Sequence, residues 1–235
     1  MNILILLNDA GAIPDTLVPR AENRTLFLSG LFAASLILIA IARISNYKAI
    51  GTVINAFFSV GSIHQLLKEN MRIVSLSSIL LLLNYLIASF ICVYLVLNRT
   101  LGLSPNVSMI FASIVPLGFT IFEIMGMALT SFITGEGKTM EPAFQTSWIG
   151  FEFIGLPLSV LALIWIMNPA LNLICLVLFG VLFAVRVLQR ITKSSILVLN
   201  KGVAWYYIFL YLCTLEILPM IVVYYCIELN FRSLI

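Results

Sequence analysis

Six apolar runs, each about as long as a helix needs to cross a bilayer, follow one another along this chain: residues 25–42, 73–97, 107–134, 144–167, 170–188 and 203–227. A hydrocarbon core of about 30 Å takes about 20 helical residues to cross. Inside it every backbone N–H and C=O has to be satisfied within the protein, which leaves only helices or closed barrels. Runs this continuous, rich in Leu, Ile, Phe and Ala, favour helices, because barrel strands alternate over segments of about ten residues. The expected fold is therefore all-α: a polytopic membrane helical bundle of six transmembrane helices. At 62% hydrophobic and 10% charged over 235 residues, little chain remains for a soluble domain. The fourth and fifth runs are separated only by Asn168-Pro169, a turn-forming dipeptide that reads as a tight hairpin.

The distribution of the 13 Lys and Arg residues gives an orientation. Arg43, Lys48, Lys68, Arg72, Lys138, Arg186, Arg190, Lys193 and Lys201 fall on one side of the expected membrane. Arg20, Arg24, Arg99 and Arg232 fall on the other. The richer side is the cytoplasmic one, so both termini are expected to face away from the cytoplasm. Aromatic residues mark the boundaries, with Trp148 opening the fourth run and Trp205, Tyr206 and Tyr207 opening the sixth.

Two segments stand outside the spans. Residues 1–24 begin MNILILL, too short an apolar run for a signal peptide and without its basic flank or small-residue cleavage site. With Pro14 and Pro19 they are expected to form an irregular external segment of the mature chain. Over residues 49–72 the pattern changes: Ile50, Ile54 and Phe57, then Ile63, Leu67 and Met71, recur at helical spacing among polar residues. This is the signature of an interfacial helix on the cytoplasmic surface, punctuated by Gly51 and Gly61. It serves either packing and anchoring or the docking of a partner, and His64, Lys68 and Arg72 are its candidate interface residues.

The residues that ask for a chemical explanation are Glu123, Glu152 and Glu216, each inside an apolar run. An ionisable group near the bilayer centre costs roughly 2.5 to 3.5 kcal/mol on insertion scales, so it calls for a partner or a function. Counted from the cytoplasmic side, Glu152, Glu123 and Glu216 lie roughly 12, 17 and 20 Å deep. They would converge in one polar layer if their spans were neighbours. Pro116, Pro157 and Pro219 accompany them, and each is expected to break the helix locally and free a carbonyl one turn back. Arg186 is the candidate charge partner. The three acids read either as packing contacts between helices or as a proton or cation site.

Catalysis finds no support in the sequence. Cys92, Cys175, Cys213 and Cys226 lie in apolar spans without metal-ligand spacing, and one histidine makes no His-rich site. HExxH, GxSxG and GxxxxGK[ST] are missing. No cofactor, no metal and no nucleic-acid partner is expected, and the chain is read as a non-enzyme. Its partners are the lipid bilayer and another membrane or cytoplasmic protein. The small-residue patch of Gly30, Ala33 and Ala34 would serve packing within one chain or between copies in a homo-oligomer.

The C-terminal run Tyr211-Leu212-Cys213-Thr214-Leu215-Glu216-Ile217-Leu218-Pro219, a Y-L-C-x-L-E-I-L-P pattern, resembles the ending of a Bacteroidota inner-membrane family known only as a domain of unknown function. Leu80 to Tyr85 and Gly155-Leu156-Pro157-Leu158 carry the same resemblance, which covers roughly residues 55–228. It implies a Gram-negative inner membrane, with Glu216, Pro219, Cys213, Asn84 and Pro157 as family-type residues and no catalytic role for any. The function expected first is that of a non-enzymatic membrane subunit or assembly factor in envelope biogenesis or secretion, holding a partner through its basic cytoplasmic loops. A small proton- or cation-coupled transporter using the three glutamates is the alternative, and a polyprenyl-lipid binding or handling protein the third.

Overall fold

The computed structural model describes residues 22–59, 75–134 and 137–199, and among them every element is helical. Helix α1 is Glu22–Ser45, α2 Ala49–Phe58, α3 Leu76–Leu95, α4 Pro105–Thr134, α5 Gly137–Met167 and α6 Asn172–Leu199. A π-helical turn, Val96–Thr100, continues α3, and a 3-10 turn, Pro169–Leu171, joins α5 to α6. Five segments are long and apolar enough to cross a membrane: Leu26–Ser45, Leu76–Thr100, Pro105–Gly126, Phe144–Met167 and Pro169–Arg190. The sixth expected run at 203–227, with Glu216 and Pro219, lies outside the described residues, as do residues 1–21 and His64, Lys68 and Arg72.

Several helices outrun their apolar segments. Helix α1 begins at Glu22, inside the segment expected to be irregular, and α5 begins at Gly137, seven residues before Phe144 opens its apolar segment. The two boundaries have different causes. Hydropathy ends where hydrocarbon ends, whereas a helix continues as long as its backbone hydrogen bonds do.

Local chemistry explains the ends. Ser75 caps α3, its Oγ accepting from the Ser78 backbone N–H at 3.2 Å. Between the π-helical turn and α4 the chain reverses through Gly102 at φ +65°, a left-handed conformation that favours glycine. Pro105 then opens α4, where its missing N–H has no intrahelical partner to lose. At Asn168-Pro169 the proline excludes a further α-helical turn, and Leu171 N–H donates to Asn168 O at 3.1 Å to close the hairpin.

Pro116 and Pro157 do not break their helices, contrary to the sequence expectation. Helix α4 runs unbroken through Pro116 and α5 through Pro157. In lipid a helix interrupted at one ladder bond is less costly than backbone released into hydrocarbon, so neighbouring turns hold the segment together. Thr120 Oγ1 adds a tie across the first of these turns by donating to Pro116 O at 2.8 Å.

The bundle is apolar outside, and its largely apolar interior also holds several polar and charged side chains. Ile37, Ile114, Leu173, Val177 and Leu188 are exposed, while Ser35, Asn84, Ser159, Glu123 and Arg186 are buried. Helices α3 and α5 form the central pair, with α1 and α4 against α3 and with α6 against α5. Their core joins Tyr85, Ile91 and Cys92 to Phe151, Leu158 and Trp165. Close approach of the pair depends on Gly155: a Cβ there would stand 2.9 Å from both Cα and Cβ of Tyr85.

The short helix α2 lies across one end of the bundle. Ala49, Val53, Ala56 and Phe57 recur at helical spacing on its buried face, while Ile54 and Phe58 are exposed. The Phe57 ring stacks on Phe153 of α5 with centroids 3.6 Å apart, and its backbone carbonyl accepts from Gln189 Nε2 of α6 at 2.7 Å.

Candidate functional site

Three polar groupings lie inside the spans. The first is built around Glu123, eighteen residues into α4 and 1% exposed. Arg186 and Arg190, four residues apart on α6, face the same way for that reason and meet this carboxylate together. Arg186 Nη2 donates to Glu123 Oε2 at 2.7 Å, and Arg190 Nη1 lies 3.0 Å from Oε1. The Arg186 guanidinium also sits 3.9 Å above the Phe151 ring and 5.2 Å from that of Phe119. One acid thus ties α4 to α6, with α5 supplying an aromatic floor.

The second grouping belongs to Glu152. Ser78 Oγ of α3 donates to Glu152 Oε1, and Trp148 Nε1 donates to the same Ser78 oxygen at 2.7 Å. The hydroxyl therefore relays between indole and carboxyl, fastening the start of α3 to the first half of α5. No cation pairs with Glu152 among the described residues. Ser78→Ala should leave both the indole N–H and the carboxyl oxygen without this partner, at a cost of about 1 to 3 kcal/mol. Chemical unfolding of the detergent-solubilised variant checks this, and a curve superimposable on the wild type would refute the assigned bond.

The third grouping sits where α1, α3 and α5 meet. Ser35 Oγ donates to Asn84 Oδ1 at 2.5 Å, and Ser159 Oγ lies 3.0 Å from the same oxygen and 2.8 Å from Gly155 O. Such hydrogen bonds join helices where lipid supplies no hydrophobic drive for association.

Glu123 and Glu152, which would have converged in one polar layer had their spans brought them together, have different partners on different helices. They form two separate networks. Sequence reasoning named Arg186 as a charge partner but counted Arg190 only as a loop charge. Their spacing of four was the available signal. The relay through Ser78 and the seat of Ser35 against Asn84 carry no sequence signal beyond a small polar residue in an apolar run.

At the opposite end Arg99 Nη1 donates to Trp165 O at 2.5 Å, Trp165 Nε1 to Asn172 Oδ1 at 2.8 Å, and Asn172 Nδ2 to Thr100 Oγ1 at 3.4 Å. A cation at the last turn of α5 complements the helix dipole. No group of three or more His, Cys, Asp or Glu side chains that would hold a metal occurs among the described residues.

An all-helical bundle with lipid-compatible faces and an interior of hydrogen-bonded polar groups defines a multi-pass membrane protein. The family model described as Domain of unknown function (DUF4271) matches residues 28–227, and the chain belongs to that family. No curated protein and no solved structure matches it.

Proposed function

We propose that the chain is a non-enzymatic inner-membrane subunit or assembly factor, set in cell-envelope biogenesis or secretion, which holds a partner through its basic cytoplasmic loops. Both termini are then periplasmic. The observation that carries this reading is the use made of the intramembrane acids: Glu123 is clamped by Arg186 and Arg190, and Glu152 is tied to Ser78 and Trp148. Both act as contacts between helices, which suits a rigid platform. A proton or cation pathway instead needs acids that exchange partners with a moving charge. Helix α2, stacked on α5 and tied to α6, gives the platform a fixed surface at the end where the basic loops emerge.

The test is a mild-detergent pull-down of the tagged full chain from its native membrane, read by mass spectrometry. A partner in stoichiometric amount is expected, released when Lys68, Arg72, Lys193 and Lys201 are changed together to Glu. A chain that purifies alone, and whose reconstituted vesicles pass protons in a manner abolished by Glu123→Gln, would replace the subunit reading with transport.

A further inference from the structure

Where α2 crosses α5 and α6 there is a small, partly open cavity of about 10 Å³, walled by Phe57, Thr146, Ser147, Gly150, Arg186 and Gln189. That is about the least space that holds one water molecule, or one oxygen of a larger group. Two of these wall residues carry a buried polar atom without a hydrogen-bond partner among the described residues: Nε of Arg186, 4% exposed, and Oγ of Ser147, 2% exposed. A buried donor left so costs about 1 to 3 kcal/mol, and more when charged, so the pair calls for an acceptor. Gly150 forms part of the wall, and a Cβ there would come into ordinary contact with Arg186 Nε at 3.9 Å.

The chemistry of that acceptor follows from the donors and from the depth. A guanidinium N–H beside a hydroxyl suits an anionic oxygen, and arginine matches phosphate geometry better than lysine does. The Arg186 guanidinium is already fixed, by Glu123 on one edge and Phe151 beneath, so little ordering is left to do on binding. The apolar segment Pro169–Arg190 has 22 residues, about 33 Å of helix, slightly more than the hydrocarbon core. Arg186 and Arg190 at its end therefore stand at the level where hydrocarbon gives way to headgroup phosphates.

We propose that this cavity binds one oxygen of a phosphate group, supplied by a phospholipid headgroup or by inorganic phosphate from the adjoining water, with Arg186 Nε and Ser147 Oγ as donors. The binding site is independent of the subunit reading and stands or falls separately from it.

The full chain is reconstituted in phosphatidylglycerol vesicles, extracted in mild detergent and examined by native mass spectrometry for retained lipid. In a second arm the lipid-depleted protein is melted with and without inorganic phosphate. Ser147→Ala removes one donor and Gly150→Ala fills space in the wall, and neither changes net charge. Ser147→Ala is expected to weaken binding about tenfold, the usual loss for one charge-assisted bond, and Gly150→Ala to weaken it by narrowing the space beside Arg186 Nε. Lipid retention that falls in both variants assigns the headgroup as the source; a melting shift by phosphate that falls in both assigns the free anion. Retention and melting shifts equal in wild type and variants, or no binding in either arm, would overturn the proposal, because attraction of anionic lipid to the basic loops survives both substitutions. Should Gly150→Ala fail to fold, Ser147→Ala alone decides.

Discussion

Glu123→Leu is expected to destabilise the bundle by about 3 to 5 kcal/mol, the usual cost of removing one partner from a buried ion pair. The carboxylate is 1% exposed and lies 2.7 Å from Arg186 and 3.0 Å from Arg190, whose own side chains are 4% and 5% exposed. Removing it leaves two guanidinium groups, side by side on one face of α6 and buried, without their shared counter-ion. Glu123→Gln keeps the volume and an acceptor oxygen, and should fall between wild type and Leu. Glu123→Leu combined with Arg186→Leu should recover part of the loss, because it takes away one of the stranded cations. Reversible unfolding of detergent-solubilised protein, followed by far-UV circular dichroism, reads all three. If Glu123→Leu unfolds with the wild-type midpoint, the ion cluster does not hold α4 to α6 and the platform reading loses its main support.

Gly155→Val should separate the central helix pair. Even the single Cβ of alanine at this position would stand 2.9 Å from Cα and Cβ of Tyr85 and 3.1 Å from Asn84 Nδ2. The obstacle is backbone of α3, which no rotamer change relieves. Gly155→Ala is expected to cost about 1 to 3 kcal/mol, the range for overpacking in a close-packed interior, and Val more. Displacing α3 from α5 also pulls Ser159 away from Asn84, which adds to the loss. Gly180→Ala is the control: nothing lies within 4 Å of its Cβ position, and replacing a helical glycine with alanine there should be neutral or stabilising by up to about 1 kcal/mol. Equal unfolding midpoints for the two alanine variants would mean that α3 and α5 are not in close contact at Gly155.

Five segments long and apolar enough to cross a membrane were legible in the sequence, because that capacity is a matter of length and hydropathy along one dimension. The hairpin at Asn168-Pro169 was legible too, since a proline without an N–H marks where α5 stops. Pro116 and Pro157 have the same chemistry and stop nothing. The difference is context: Asn168-Pro169 lies at the edge of the hydrocarbon, where released backbone meets water, whereas the other two lie within it. Helical spacing at 49–72 was visible, and α2 covers its first part over Ala49–Phe58, but it buries Ala49, Val53, Ala56 and Phe57 rather than the expected stripe of Ile50, Ile54 and Phe57. That Phe57 would stack on Phe153 and accept a hydrogen bond from Gln189 at its carbonyl was not visible, since each partner lies far along the chain.

The acids divide in the same way. Depth along a span is arithmetic on residue number, and it gave Glu123 and Glu152 related depths while leaving open whether they meet. Rotation about each helix axis and the order of helices in the bundle are not functions of residue number. They are set by close packing, such as Tyr85 against Gly155, and they send Glu123 toward α6 and Glu152 toward α3.

By itself, then, the sequence determined that this chain is helical, lies in a membrane and must find partners for its buried acids, because lipid thickness and the cost of unsatisfied polar groups act on any chain of this composition. Only the tertiary structure decided that Glu123 meets Arg186, 63 residues away, and that Glu152 meets Ser78, 74 residues away. Those pairings depend on which helix faces bury against each other, and in a bundle where every outer face is apolar, packing shape rather than hydropathy makes that choice.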